Sequence, residues 1–492
     1  QCSERKNFIL FSFHKNDFKN ERIVKLIDKR IDFGSTFIKV VLADIEKREV
    51  ILSDKFPSTV HTDARIGLEH CFQAVKKVLS EEQFHQALKL SSSSAAGGLR
   101  MAVVGLTRTL SITAGRDAVF GAGAKVMGTF HGELDDEKLK ELEQLDLEIL
   151  LLCGGYENGN TTMVLHNAKR IAESKIRVPI VYSGNNQVAK QIRFLMSSHK
   201  KECFIIDNIL PEVGVVHVEP SQEIIRHLFM QRITNMKGLS AVKESLGEIL
   251  MPTPAAVLAA GELLSGGTKT KEGMGPLMMV DVGGATTDIY SFIINKGYDG
   301  AKIAGSLEPF GKRTVEGDMG MRESSVCLYN EMDVKTLAEK AKVSEEQWKA
   351  GIEKRITNTS YLTDSEEEYR IDQTIAKSAV RISARRHAGK LEDTYYGSCE
   401  RVQRGKNLTD IKTVIGTGGP IINSRHPELI LKQVEKNSQT DRDILLPKKV
   451  ETYIDREYVF FAAGLLKDYD EEAAYEQMTK SITKVEDDKT RR

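Results

Sequence analysis

An α/β protein with two related halves around a cleft is what this 492-residue sequence predicts. Buried-looking strands alternate with helices along most of the chain, the pattern of sheets whose ligand sites lie beyond the strands' carboxyl ends. A second observation is that one motif occurs twice. Ile31–Val41 reads IDFGSTFIKVV, and residues 281–290 read DVGGATTDIY after the apolar run Leu277–Val280. A third is length, because a chain of this size exceeds what one compact core accommodates.

The first half opens with short strands at 29–33, 36–43 and 49–55, supported by alternation and β-branched residues. Lys29 and Arg30 stand where a central strand should be apolar, so that strand is expected to be very short or the segment before it non-native. Residues 1–20 read as a poorly structured extension. A helix at 64–80 follows, then a loop at Ser91–Ser94 with Gly97 and Gly98. Leu99–Leu106 is a strand, Thr107–Ala124 a helix and Asp135–Gln144 an exposed charged helix. Ile149–Cys153 and Pro179–Tyr182 are buried strands flanking a helix at Thr162–Ala172. Cys153 reads as core, and Ser183–Asn186 as a helix cap.

The second half restarts the pattern with a small-residue helix at Thr253–Leu264. Leu277–Asp281 and Asp288–Ile294 are strands across a tight turn, and helices follow at 334–342, 344–355 and 372–388. A strand at 414–415 enters the glycine turn VIGTGGPIIN, residues 414–423, and a last helix runs over Tyr458–Leu466. Residues 470–492 are highly charged and are expected to be mobile. The division expected is an extension at 1–30, lobes at 31–250 and 251–469, and a charged tail at 470–492.

The repeated motif has a chemical logic. An unpaired carboxylate ending a buried strand is costly, and a hydrated magnesium ion beside substrate phosphates would satisfy it. Asp281 and Asp32 are the candidates. Gly283 and Gly284 let the backbone turn and approach a ligand, while Thr286 and Thr287 add hydroxyl donors. Gly34, Ser35, Thr36 and Lys39 offer the same chemistry in the first copy. A plain hairpin would account for either copy alone. Two copies half a chain apart suggest an internal duplication clamping a phosphate chain. Gly416, Gly418 and Gly419 would then let a base or ribose lie against backbone, although a structural turn explains them equally.

The order of these elements resembles the superfamily of actin, sugar kinases and Hsp70. IDFGSTFIKVV, MPTPAAVLAAG (251–261), VDVGGATTDIY, VIGTGGP and YVFFAAGLL (458–466) look like its two phosphate loops, its adenosine loop and its two connecting helices. The resemblance spans about 31–470 and implies two actin-like, ribonuclease H-like lobes that bind ATP and Mg2+, with Asp32, Asp281 and Asp288 catalytic. Within it, GLTRTLSITAG (105–115), LLLCGGYENGN (150–160), PIVYSGN (179–185) and RTVEGDMGMR (313–322) resemble MutL/GlmL-type accessory proteins of adenosylcobalamin-dependent mutases such as glutamate mutase. This family is unrelated to the mismatch-repair protein of the same name. The resemblance implies ATP-dependent reactivation of the mutase by exchange of damaged cobalamin, a cofactor belonging to the partner. A small-molecule kinase or an actin-like filament protein are the alternatives. Met251 stands where Hsp70-like chains carry a carboxylate, which implies slow hydrolysis or another base, such as Asp288 or Glu262.

Other features are bland. Basic and acidic residues number 70 each, so no general charge pulls the chain toward nucleic acid or membrane. No apolar run approaches the ~20 residues of a membrane helix. Cys2, Cys71, Cys153, Cys203, Cys327 and Cys399 form no CxxC pair, and free thiols in a reducing cytoplasm are expected. His387 reads as a solvated or packing residue of a basic turn, and Lys312, Arg313, Glu316, Asp318 and Arg322 as a charged solvated loop after Gly311, to which the resemblance equally gives a role at the cleft or at a partner surface. Lys269–Lys271 reads as a surface connection.

Overall fold

The computed structural model describes residues 27–34, 37–59, 62–93, 99–233, 251–304, 308–322, 324–393 and 401–485. The expected extension at 1–20 and two site candidates, Ser35 and Thr36, lie outside the described residues.

Two sheets share one plan. In the first, the strands run Glu49–Pro57, Phe37–Asp44, Ile27–Phe33, Leu88–Ser93 and Met251–Pro252 across the sheet. In the second they run Gly311–Glu316, Thr287–Phe292, Leu277–Val282, Thr413–Thr417 and Glu451–Asp455, with Ile482–Val485 added at the edge. In each, an antiparallel meander of three strands is followed by two strands parallel to the central one. The register matches as well. Asp32 pairs with Lys39 across the first hairpin, and Asp281 with Asp288 across the second. On the parallel side Asp32 faces Ser92 and Asp281 faces Thr417. The duplication suggested by the motifs is therefore a repeated fold, and the chain is a mixed α/β protein of the expected class.

A third sheet sits between Ser93 and Met251, inside the range read as the first lobe. Its strands, Lys125–His131, Arg100–Gly105, Ile149–Gly154, Ile180–Gly184 and Cys203–Ile205, are all parallel in that order. This is a doubly wound arrangement whose order reverses beside Arg100–Gly105. Its helices Ser111–Gly121 and Glu219–Ile233 share a core with Ile31, Phe33 and Ile38 of the first sheet.

Helices Thr253–Gly266 and Val459–Leu466 share one core with strands of both like sheets. All eight residues of the second are buried, including Phe460 and Phe461. Burying a phenylalanine fully contributes about 2–3 kcal/mol. Gly464 lies against the backbone of Ala256, so a β-carbon there would collide with the Ala256 carbonyl. Asp455 caps this helix, accepting from Val459 N at 3.0 Å and Phe460 N at 3.3 Å.

Several expectations need correction. The first strand runs seven residues from Ile27, so it is not very short. Its charges are accommodated by pairing. Lys29 donates to Phe84 O at 2.6 Å and lies 3.4 Å from the Phe84 ring centroid, while Arg30 holds Asp28 at 2.5 Å in a fully buried ion pair. The serine run is strand through Ser93, and its buried hydroxyls find acceptors, Ser92 donating to Asp32 Oδ1 and Ser93 to Phe33 O. Gly311–Glu316 is a strand, with Arg313 buried. Of the two readings of His387, packing is the one observed: it is buried between two hydroxyls, Thr314 at 2.8 Å and Ser291 at 2.7 Å, and burial holds its pKa well below the ordinary value. Residues 471–485 form the helix Glu471–Ser481 and an edge strand, so they are not a mobile tail. Ala473, Ala474 and Met478 pack in the core of the connecting helices. Lys271, read as part of a surface connection, is anchored to Glu476 of this helix.

Candidate nucleotide site

Asp32 ends the first central strand and is 1% exposed. Thr253 Oγ1 donates to its Oδ1, Ser92 Oγ donates to the same atom at 3.2 Å, and Lys39 Nζ reaches Oδ2 at 3.4 Å. Thr253 opens a connecting helix, so the first hairpin is fastened directly to the element that leads into the second lobe. Gly34 N donates to Phe37 O at 3.1 Å, closing the turn.

Lys39 stands between the lobes. Burial opposes its charge, but Asp32 and then Asp281 more than offset this, and its pKa is raised. Its ammonium lies 5.1 Å from the ring centroid of Tyr458, the residue that begins the second connecting helix. Asp281 occupies the matching place in the second lobe. Burial pushes its pKa up to about 6, Lys39 pulls it down, and Asp288 and Asp32 raise it further. Such a carboxylate gains most from a cation brought by a ligand.

The second hairpin is held from behind. Gly283 N closes the turn on Thr286 O at 2.9 Å. Met321 N donates to Gly283 O at 3.1 Å, Arg322 N to Gly284 O at 2.7 Å, and Ser324 Oγ to Ala285 O at 2.6 Å. The RTVEGDMGMR segment therefore braces this loop. Thr287 Oγ1 donates to Met319 O, and Thr286 Oγ1 to Asp288 Oδ2 at 3.3 Å. Asp288 is clamped by Arg313, whose Nη2 lies 2.6 Å from Oδ1 and whose Nη1 donates to Phe120 O at 3.1 Å.

The glycine turn closes against Asp281. Gly418 has φ +88°, a left-handed conformation that favours glycine, and a β-carbon there would stand 2.6 Å from Asp281 Oδ1 and overlap Val282 O. Gly419 has room around it, with Asn423 Nδ2 and the Tyr458 hydroxyl each 3.8 Å from its hypothetical β-carbon. Gly416 serves packing, because a β-carbon would meet Ile421 at 2.6 Å and Leu431 at 2.8 Å.

The structure thus brings together Asp32, Lys39, Asp281, Asp288 and Gly418. Glu262 is elsewhere, beside Gly311 and 3.9 Å from Lys467, at the opposite end of its strand from the hairpin turn. Among the described residues no group of three metal-ligating side chains occurs. The donor set fits magnesium held through its waters, which needs only one or two carboxylates alongside phosphates. The sequence reading missed Ser92, Thr253 and Tyr458 as partners of the site, while Arg313, singled out within RTVEGDMGMR, does reach it through Asp288. Thr253 and Tyr458 lay inside the quoted connecting-helix motifs, which was the available signal.

A family match covers nearly the whole chain. The family model described as MutL protein matches residues 30–482. The chain belongs to this family. It is 35% identical over 457 residues to Protein MutL of Clostridium tetanomorphum, covering 92% of this chain and 99% of that relative. Among solved structures, it is similar to ethanolamine utilization protein EutJ of Carboxydothermus hydrogenoformans, at 10% identity and TM-score 0.26, over 92% of this chain and 89% of that one. Xylulose kinase of Bifidobacterium adolescentis matches at 11% identity and TM-score 0.29, over 94% and 96%. No helix among the described residues is long and apolar enough to cross a membrane.

Proposed function

We propose that the chain is an ATP-binding accessory protein that reactivates an adenosylcobalamin-dependent mutase, such as glutamate mutase, by driving exchange of damaged cobalamin. The observation that carries the nucleotide reading is the matched placement of Asp32 and Asp281, in equivalent registers of two like sheets, with Lys39 between them. Family membership and the motif resemblance support the accessory role in a mutase system.

Each residue has a stated task. Lys39 supplies a fixed cation for a phosphate. Asp32 and Asp281 would accept hydrogen bonds from the waters of a magnesium ion. The Gly283–Gly284 turn and Gly419 would leave space for phosphate and ribose against backbone, while Gly418 lets the glycine turn close on Asp281. Magnesium itself would neutralise phosphate charge. Asp32 is tied to Thr253 and Lys39 lies over Tyr458, so a ligand bridging the hairpins acts on both connecting helices. A ligand drives a partner only if it binds two states unequally. Here those states are a clamped and a relaxed arrangement of the lobes.

Calorimetric titration with Mg-ATP tests this. Saturable, magnesium-dependent binding is expected, with Asp32→Ala and Asp281→Ala each weakening it about ten- to hundredfold, the worth of one charged hydrogen bond. Absence of binding by the native chain would sink the nucleotide reading. Binding without ATP-dependent recovery of an inactivated mutase would leave the cleft standing and overturn the reactivation role.

A further inference from the structure

The second lobe carries a concave groove of about 800 Å³ whose lining shares no residue with the hairpins or the glycine turn. Helix Glu366–His387 forms one wall, the end of helix Val334–Ala341 another, and the stretch 433–444 the third. Lys340, Lys377, Arg381, Arg385 and Lys390 all line it. Among the described residues the one carboxylate in the lining, Glu331, is bonded to Arg386, which also holds Glu316 and Asp318.

Charge in the groove is out of balance. Fully buried Asp441 accepts from both Arg381 and Arg385 and also caps Asn437 N at 2.8 Å, so one carboxylate serves two guanidinium groups. Among the described residues no ion pair reaches Lys340, Lys377 or Lys390. Burial lowers the pKa of Lys340, with Arg385 and Arg381 adding to the effect and Asp333 opposing it, and burial likewise lowers that of Lys377 against the field of Glu428. Cations gathered along a concavity favour a bound anion, which relieves their repulsion. The hydroxyls of Thr374, Ser378 and Thr440 add donors, and Met332, Ile382 and Ile444 offer an apolar strip. Guanidinium forks beside ammonium groups suit the several oxygens of a phosphate. The volume is that of a small-molecule pocket.

We propose that this groove binds an organic phosphate of nucleotide size, its phosphates on Lys340, Lys377 and Arg385 and its organic part on the Met332–Ile382–Ile444 strip. The site is separate from the cleft between the hairpins and does not depend on ATP binding there.

The test uses the full chain with magnesium chelated. Inorganic pyrophosphate and a nucleoside diphosphate are titrated separately by calorimetry, and protection of lysines from acetylation is read by mass spectrometry. Pyrophosphate is expected to slow acetylation of Lys340 and Lys377 while exposed Lys349 on the neighbouring helix stays unchanged. Lys377→Glu and Lys340→Glu should each weaken binding about tenfold, the scale of one charged contact. Asp281→Ala, which disables the hairpin cleft, should leave it intact. The nucleoside diphosphate should bind more tightly than pyrophosphate. No saturation in the millimolar range, uniform lysine labelling, loss of binding in Asp281→Ala only, or equal affinity for the two probes would each overturn the proposal.

Discussion

At the scale of single residues, Asp281 decides how the site responds to pH. Burial raises its pKa to about 6, against the favourable field of Lys39. An acid whose pKa is raised by folding is disfavoured in its ionised form. Its contribution to stability is therefore lost as pH rises from the unfolded value toward about 6, and the ionised group remains a cost above that. A cation bound beside it reverses the preference and expels the proton. Mg-ATP binding at pH 6 is thus expected to release about half a proton, fading toward pH 8, as metal binding to a protonated ligand requires. Titration in two buffers of different ionisation enthalpy measures this, and Asp281→Asn should abolish the release. Unchanged proton release in that variant would place the titrating group elsewhere. Asp281 was legible in the sequence because a carboxylate ending an apolar run announces an unmet need, and Asp32 because its motif repeats that of Asp281. Their partners were not. Nothing local in the sequence ties Ser92 or Thr253 to Asp32, or Arg313 to Asp288, because these bonds join positions 60, 221 and 25 residues apart.

At the scale of elements, the connecting helices set the spacing of the lobes. Both were legible as helices, since small and apolar residues fill each. Their mutual contact was not, because it depends on one glycine meeting one backbone. Gly464→Ala forces a β-carbon into Ala256 and is expected to destabilise the chain by about 1–3 kcal/mol, the usual cost of overpacking. Gly266→Ala, in the first of these helices, is the matched control. Nothing stands within 4 Å of its added carbon, and it should be neutral or slightly stabilising. Urea unfolding of both variants checks the difference, and equal midpoints would refute the close crossing. The misread elements share a cause. Ser91–Ser93 looked like loop by composition, yet ladder pairing and buried acceptors make it strand. The segment 471–481 looked like a tail by its charge. Its buried residues Ala473, Ala474 and Met478 recur at helical spacing, while Glu476 on another face binds Arg48 and Lys271.

At the scale of the whole molecule, two sheets of one plan frame the site and a third, of different plan, is attached to the first. The duplication was legible because the motif repeats. The third sheet was not separable, because its strand–helix alternation continues that of the lobe without a break in composition. One side chain joins this sheet to the site. Arg313 grips Asp288 of the second hairpin and donates to Phe120 O in the last turn of helix Ser111–Gly121, which packs on the parallel sheet. A ligand that draws the second hairpin toward the first would shift Asp288, and Arg313 would carry the shift to that helix. Mg-ATP is therefore expected to slow hydrogen exchange at the carboxyl end of Ser111–Gly121 at least about threefold, because local opening there must break the Arg313 bond. Arg313→Met should retain ATP binding while losing this protection. If protection persists in the variant, the two regions are coupled by another route, and if native protein shows none, the inserted sheet does not sense the cleft. Spatial continuity alone does not establish coupling, which is why the variant and the native chain must be compared under saturating nucleotide.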